Sequence, residues 1–226
     1  IRNTDINVFF KYFFFLRKYG LKIMENADKI IFLSPSYKKE CLEDYVPVEK
    51  REEIERKAVI IPNGINKFWI ENSVSSKKRH KEIRLIYVGS IDKNKNVITT
   101  ILACKKLLSQ GYEVKFTVVG DIEIKIDELN QAFIKHIPYS TKKEIRKYFE
   151  ESDIFIMPSK YETFGLVYAE ALSQGLPVIY TRGQGFDGQI PDGEVGYSVK
   201  YNDVNEIVEK IILIYNNMLF NYINSF

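Results

Sequence analysis

From Ile83 onward, short apolar runs alternate with longer stretches of helical periodicity. Ile83–Val88, Val114–Val119, Asp153–Met157 and Pro177–Tyr180 read as buried strands, with Ala132–Ile137 weaker and Tyr197–Val199 short. Asn96–Gln110, stopped by Gly111, has helical spacing. So does the stretch from Ser140 to Glu151, with Ser140 or Thr141 as its cap. Ala169–Gly175 reads as a helix closed by glycine, and Val204 to about Phe220 as a last helix. Five or six strand–helix alternations predict an α/β fold, a doubly wound parallel sheet with helices on both faces.

The first third is less regular. Asn7–Ala27 predicts an aromatic-rich helix with apolar residues on nearly every face. Its two readings are a helix packed in a domain whose remainder lies elsewhere, and an amphipathic membrane-surface helix helped by Lys11, Arg17, Lys18 and Lys22. Lys29–Leu33 and Val59–Ile61 read as short strands, the first followed by a helix capped at Ser34 or Ser36. Residues 71–82 are polar and basic. They read as a linker, with a domain boundary near Lys78 that separates 1–78 from 79–226.

Composition narrows the classes. Hydrophobic residues make up 45% of the 226, enough for a real core, and a net charge of +3 from interspersed Lys and Glu argues against nucleic acid as a partner. No apolar run reaches membrane-spanning length. Cys41 and Cys104 share no metal or redox spacing, which points to a reduced, cytoplasmic compartment. His80 reads as solvated and His136 as structural, and neither fits a metal pattern. The chain begins at Ile1 and reads as a fragment or trimmed piece.

Candidate chemistry gathers in Tyr161–Glu170, Y-E-T-F-G-L-V-Y-A-E, directly after a predicted strand. Glu162 and Glu170 stand eight positions apart. If most of the segment from Phe164 is helical, they are separated by roughly 12 Å at about 1.5 Å per residue. That suits the two ends of a sugar diphosphate. The backbone N–H groups of Phe164, Gly165, Leu166 and Val167 would then face its anionic middle. Taken alone, both glutamates are better read as solvated surface acids, and it is the company they keep along the chain that favours a site. A second loop, Gly89-Ser90-Ile91-Asp92-Lys93-Asn94-Lys95, also follows a strand and offers a glycine and lysines before a helix. It is neither a P-loop nor G-x-G-x-x-G, and its lysines also read as plain surface charges. Gly120-Asp121, Pro158-Ser159 and Thr181–Gln189 fall at further strand ends, predicting one crevice. Paired carboxylates also occur in glycoside hydrolases, although around a helix start with lysines nearby they suit that chemistry poorly.

E-T-F-G-L-V-Y-A-E followed by A-L-S-Q-G-L-P-V-I resembles the signature of retaining glycosyltransferases of family 4, with the GT-B fold. A-D-K-I-I-F-L-S-P-S, I-P-N-G-I, Y-V-G-S-I…K-N-V and S-D-I-F-I-M-P-S extend the resemblance in order from Ala27 to the end. It implies a Rossmann-like nucleotide-sugar-binding domain over 79–226 and, in 1–78, the tail of the acceptor domain. By position, Glu162 is similar to the residue holding donor sugar hydroxyls, Phe164–Val167 to the stretch at the sugar and diphosphate, and Glu170 to the residue at the ribose. Lys95 is similar to the lysine that neutralises the leaving diphosphate. Gly89 and Ser90 stand where many members have glycine and arginine, so Lys93 is the candidate substitute.

The implied reaction is transfer from a nucleoside-diphosphate sugar, with UDP expected, to a glycan or lipid-linked acceptor. It belongs to surface polysaccharide synthesis at the inner face of the membrane, with retention and with no metal or other cofactor. The resemblance also implies weak or no turnover by a fragment. A non-catalytic nucleotide-sugar-binding module and a GT-B epimerase or phosphorylase stay open beside it.

Overall fold

The computed structural model describes residues 10–74 and 80–223. Residues 7–9 of the expected first helix and Lys78 at the expected boundary lie outside them. By compactness the chain divides into two units. One comprises Ile1–Gly64, Tyr161–Leu166 and Gly183–Pro191; the other comprises Ile65–Lys160, Val167–Arg182 and Asp192–Phe226. Residues 65–74 belong to the larger unit because they are anchored there. Trp69 is fully buried, and the Val74 amide bonds the Ser173 carbonyl at 3.0 Å.

In the smaller unit, helix α1 (Phe14–Asn26) is followed by strand β1 (Ile30–Phe32), helix α2 (Pro35–Glu40), a π-helical turn (Cys41–Tyr45), α3 (Val48–Lys57) and β2 (Ala58–Ile60). The two strands pair in parallel. The Ser34 hydroxyl accepts the Tyr37 amide and Pro35 fills the first helical turn, so α2 starts where a serine followed by proline predicts. Phe10, Met24, Ile30, Phe32, Tyr37, Cys41, Leu42, Val46 and Ile54 form its core.

The larger unit contains α4 (Lys67–Glu71), β3 (Ile83–Val88), α5 (Val97–Ser109), β4 (Val114–Val119), β5 (Ile134–Ile137), α6 (Lys142–Glu150), β6 (Ile154–Ile156), α7 (Leu166–Ser173) apart from its first residue, β7 (Val178–Thr181), β8 (Gly196–Val199) and α8 (Val204–Ile223). Its six strands run parallel in the order β5-β4-β3-β6-β7-β8. The order reverses between β3 and β6, the switch point beside which doubly wound sheets bind ligands. Every residue of β6 and β7 is buried, as strands covered on both faces must be. Tilted and edge-to-face rings run from Trp69 through Phe149, Phe155 and Tyr168 to Tyr180, with centroids 5.4–6.2 Å apart. They tie α4, α6 and α7 to the central strands.

Local signals account for the helix ends. Thr141 and Glu144 form a reciprocal capping box at the start of α6. Gly111 and Gly175 end α5 and α7 with φ of 88° and 74°. Two expectations change. The central helix begins at Leu166 rather than Phe164, because Gly165 has φ 72°, so Glu162–Gly165 is loop and the 12 Å axial estimate does not apply. His80 is not a solvated bystander. Its Nδ1 lies 2.9 Å from Oδ1 of the buried Asp153, whose other oxygen accepts the Arg84 amide. A buried carboxylate needs such partners.

Candidate active site

At the switch point of the larger unit, the loop after β3 is built by Asp92. The Ser90 hydroxyl donates to one of its oxygens, and the Asn94 and Lys95 amides donate to the other, all at 2.7 Å. Burial works against the charge of Asp92. The bonds from Ser90 and the two amides, with the Lys95 ammonium, nevertheless hold its carboxyl below the usual carboxylate range. Asn96 then takes a left-handed turn with φ 55°. Its Nδ2 donates to the carbonyls of Pro158 (3.1 Å) and Tyr201 (2.5 Å), while its Oδ1 accepts the Thr99 hydroxyl at 2.8 Å. One side chain thereby joins the ends of β3, β6 and β8. Across the switch point, the Lys160 amide donates to the Asn94 carbonyl at 2.7 Å.

Neighbouring loops are fitted to this one. A Cβ on Gly120 would lie 1.9 Å from the Gly89 carbonyl oxygen, so the loops after β3 and β4 touch only because Gly120 has no side chain. Tyr87 donates its hydroxyl to the Ser90 carbonyl at 2.6 Å, and Thr181 to the Ser159 carbonyl at 2.7 Å. Gly89, Ser90, Lys93 and Lys95 therefore sit on one braced turn, with Lys93 exposed and Lys95 half-buried. Ser90 itself is turned to Asp92.

Glu170 is half-buried on α7. Burial pushes its carboxyl up, opposed by the Trp69 indole N–H and by Lys142. That indole nitrogen is fully buried and makes no hydrogen bond within normal reach, so its pull on Glu170 is longer-range. Val167 is half-buried in the first turn of α7.

In the smaller unit, Glu162 is buried, as are Phe164 and Gly165, while Leu166 is exposed. The expected run of helix-terminal N–H groups is therefore cut short, because Phe164 and Gly165 precede the helix. Glu162 is held through its backbone. Its amide donates to Gln184 Oε1 at 3.0 Å, and its carbonyl accepts from Tyr37 Oη at 2.5 Å and from the Gly185 amide at 2.9 Å. A Cβ on Gly185 would meet the Thr163 carbonyl oxygen at 2.0 Å. Gln189 donates to the carbonyls of Leu33 and Gly185.

Sequence reasoning missed Asp92, Asn96, Tyr37 and Gln184. An Asp two and three residues ahead of two backbone amides is a turn signal that would have found Asp92. Tyr37 and Gln184 lie far from Glu162 in sequence and carry no such mark. Among the described residues, no group of three or more His, Cys, Asp or Glu is disposed to hold a metal. Cys104 is fully buried, and burial pushes its thiol far up, so it is inert.

A six-stranded parallel sheet with its loops braced around the switch point defines a Rossmann-like α/β domain, matching GT-B glycosyltransferase structures. The chain belongs to the glycosyl transferases group 1 family, which matches residues 70–221. It is 32% identical over 69% of its length to a capsular polysaccharide biosynthesis glycosyltransferase, CapM, of Staphylococcus aureus, covering 44% of that protein. It is 28% identical over 82% of its length to an alpha-monoglucosyldiacylglycerol synthase of Acholeplasma laidlawii, covering 52% of it. Its fold is that of a glycosyltransferase from Rickettsia africae, with TM-score 0.70 at 21% identity, over 90% of this chain and 57% of that one. The chain thus spans about half the length of the relatives it matches.

Proposed function

We propose that this chain carries the donor-binding part of a retaining glycosyltransferase. The enzyme would move a sugar from a nucleoside diphosphate, UDP in the first instance, to a glycan or lipid-linked acceptor in surface polysaccharide or glycolipid synthesis. The observation that carries the reading is the Asp92-built turn at the switch point. With the Asn94 and Lys95 amides tied to Asp92, it carries Lys93 and Lys95 at the carboxyl end of β3, where an anionic diphosphate finds positive charge. In this reading Glu162 binds hydroxyls of the donor sugar and Glu170 the ribose. Gly89 and the first turn of α7 bind the diphosphate in this reading. Lys95 stabilises the charge that builds on the departing nucleoside diphosphate as the anomeric carbon–oxygen bond breaks, while the acceptor oxygen bonds the sugar and its proton passes to the diphosphate. No metal is required, since the lysines supply the positive charge.

The test is a thermal-shift screen of UDP, GDP, ADP and their glucose derivatives. At ten times its Kd a ligand stabilises by roughly 1.4 kcal/mol, about 3–6 °C for a chain of this size. UDP or UDP-glucose should give such a shift, and Lys95→Ala should remove most of it. No shift with any nucleoside diphosphate would overturn the reading.

A peripheral membrane contact is proposed alongside it, at the cytoplasmic leaflet. Phe15, Tyr19 and Ile23 recur every four residues on α1 and are 56%, 68% and 69% exposed, with exposed Lys11, Lys18 and Lys22 nearby. That pattern suits an anionic lipid surface. Flotation with phosphatidylglycerol vesicles should carry the protein and fail for Tyr19→Ser/Ile23→Ser; equal flotation of both would refute the contact.

A further inference from the structure

The smaller unit holds Glu162 in a way that its proposed role at the donor sugar does not by itself require. Both polar groups of its backbone are taken by side chains and amides remote in sequence. The Tyr37 hydroxyl donates to the Glu162 carbonyl at 2.5 Å, and Gln184 Oε1 accepts the Glu162 amide at 3.0 Å. Tyr37 Oη and Gln184 Oε1 are 3.2 Å apart, so the two form one connected clamp. Gln184 is anchored in turn, because Ser36 donates its hydroxyl to the Gln184 carbonyl at 2.8 Å. Tyr37 is fully buried in the core of this unit, so its hydroxyl has a fixed address.

We infer that Tyr37, acting with Gln184, is a positioning residue that sets the backbone of Glu162 and so aims its carboxylate at the donor sugar. The inference rests on the proposed function for the sugar, but the clamp itself does not. Burial raises the Tyr37 phenol well above its usual range, and the charges of Glu162 and Glu40 add to this. It therefore remains a proton donor at every pH the protein meets. Phenylalanine at position 37 keeps the ring in the core and deletes only the donor. The Gly185 amide still satisfies the Glu162 carbonyl, so the loop loses its aim rather than its place.

Two measurements test this on the full chain. The first needs no ligand: hydrogen exchange of amides in 161–166 should accelerate in Tyr37→Phe and in Gln184→Leu, while β3, β4 and α5 stay protected. Unchanged exchange at 161–166 would overturn the clamp whether or not any nucleotide binds. The second compares calorimetric affinities for UDP-glucose and UDP. Tyr37→Phe should weaken UDP-glucose roughly three- to tenfold, the effect of one hydrogen bond, and leave UDP unchanged. In a Glu162→Gln background the same substitution should have no further effect, since it acts through Glu162. Equal weakening of both ligands, or a full additional loss in the double variant, would overturn the positioning role. Failure of the parent chain to bind either ligand would instead count against the proposed function, with the exchange result still deciding the clamp.

Discussion

Removing the Asp92 carboxylate is the most direct perturbation of the switch-point turn. Three donors at 2.7 Å converge on this group, two of them backbone amides. A hydrogen bond to a charged group contributes about 1.5–3 kcal/mol when buried, but Asp92 is only half-buried and water recovers part of that. The expected net loss for Asp92→Ala is roughly 2 kcal/mol, or about 4–8 °C in Tm for a chain of this size. Asp92→Asn keeps an acceptor for the amides and should lose roughly half as much. Urea unfolding followed by circular dichroism measures both.

The pH dependence has a definite sign. The folded-state pKa of Asp92 lies below its unfolded value of about 3.9, so its contribution is fully present above pH ~4 and fades as the pH falls through the folded value. The gap between parent and Asp92→Asn should therefore be flat from pH 5 to 8 and close only in acid. Because the turn carries Lys93 and Lys95, the UDP-dependent thermal shift should shrink in the same variants. An Asp92→Ala protein within about 0.5 kcal/mol of the parent would refute the claim that this carboxylate organises the turn.

Three further outcomes are expected. Gly120→Ala should be severely destabilising, by about 3 kcal/mol or more, because its Cβ would sit 1.9 Å from the Gly89 carbonyl oxygen; a Tm within 2 °C of the parent, read by differential scanning fluorimetry, would contradict that packing. Glu170→Gln should leave stability at pH 7 unchanged or higher, since burial disfavours the carboxylate, and should still weaken UDP binding. That stability gain should narrow as the pH falls and the parent carboxyl takes up its proton, so urea midpoints that drop at pH 7 would count against it. Trp69→Ala removes a fully buried ring that packs on Phe149 at 5.6 Å and should cost about 3–5 kcal/mol, detectable as a lower midpoint; a midpoint near the parent's would show that α4 is not anchored in the larger unit.

The strands of the larger unit were legible because they are buried on both faces, which leaves continuous apolar runs such as Ile154–Phe155–Ile156. Caps and stops were legible for the same local reason: Ser34-Pro35, the Thr141–Glu144 pair, Gly111 and Gly175 act on their own helix ends. The motif around Glu162 and the lysines of the β3 loop also stand out by composition. Where α7 begins did not, since a left-handed Gly165 is set by how the chain must turn there and not by any periodicity. The partners of Asp153, Asn96 and Glu162 were likewise invisible. They come from residues as distant as His80, Tyr201 and Tyr37, and a hydrogen bond between remote segments leaves no pattern along the chain. Short-range order was written in side-chain size and spacing. The bracing of the loops arose only when folding brought distant polar groups into buried places where each had to find a partner.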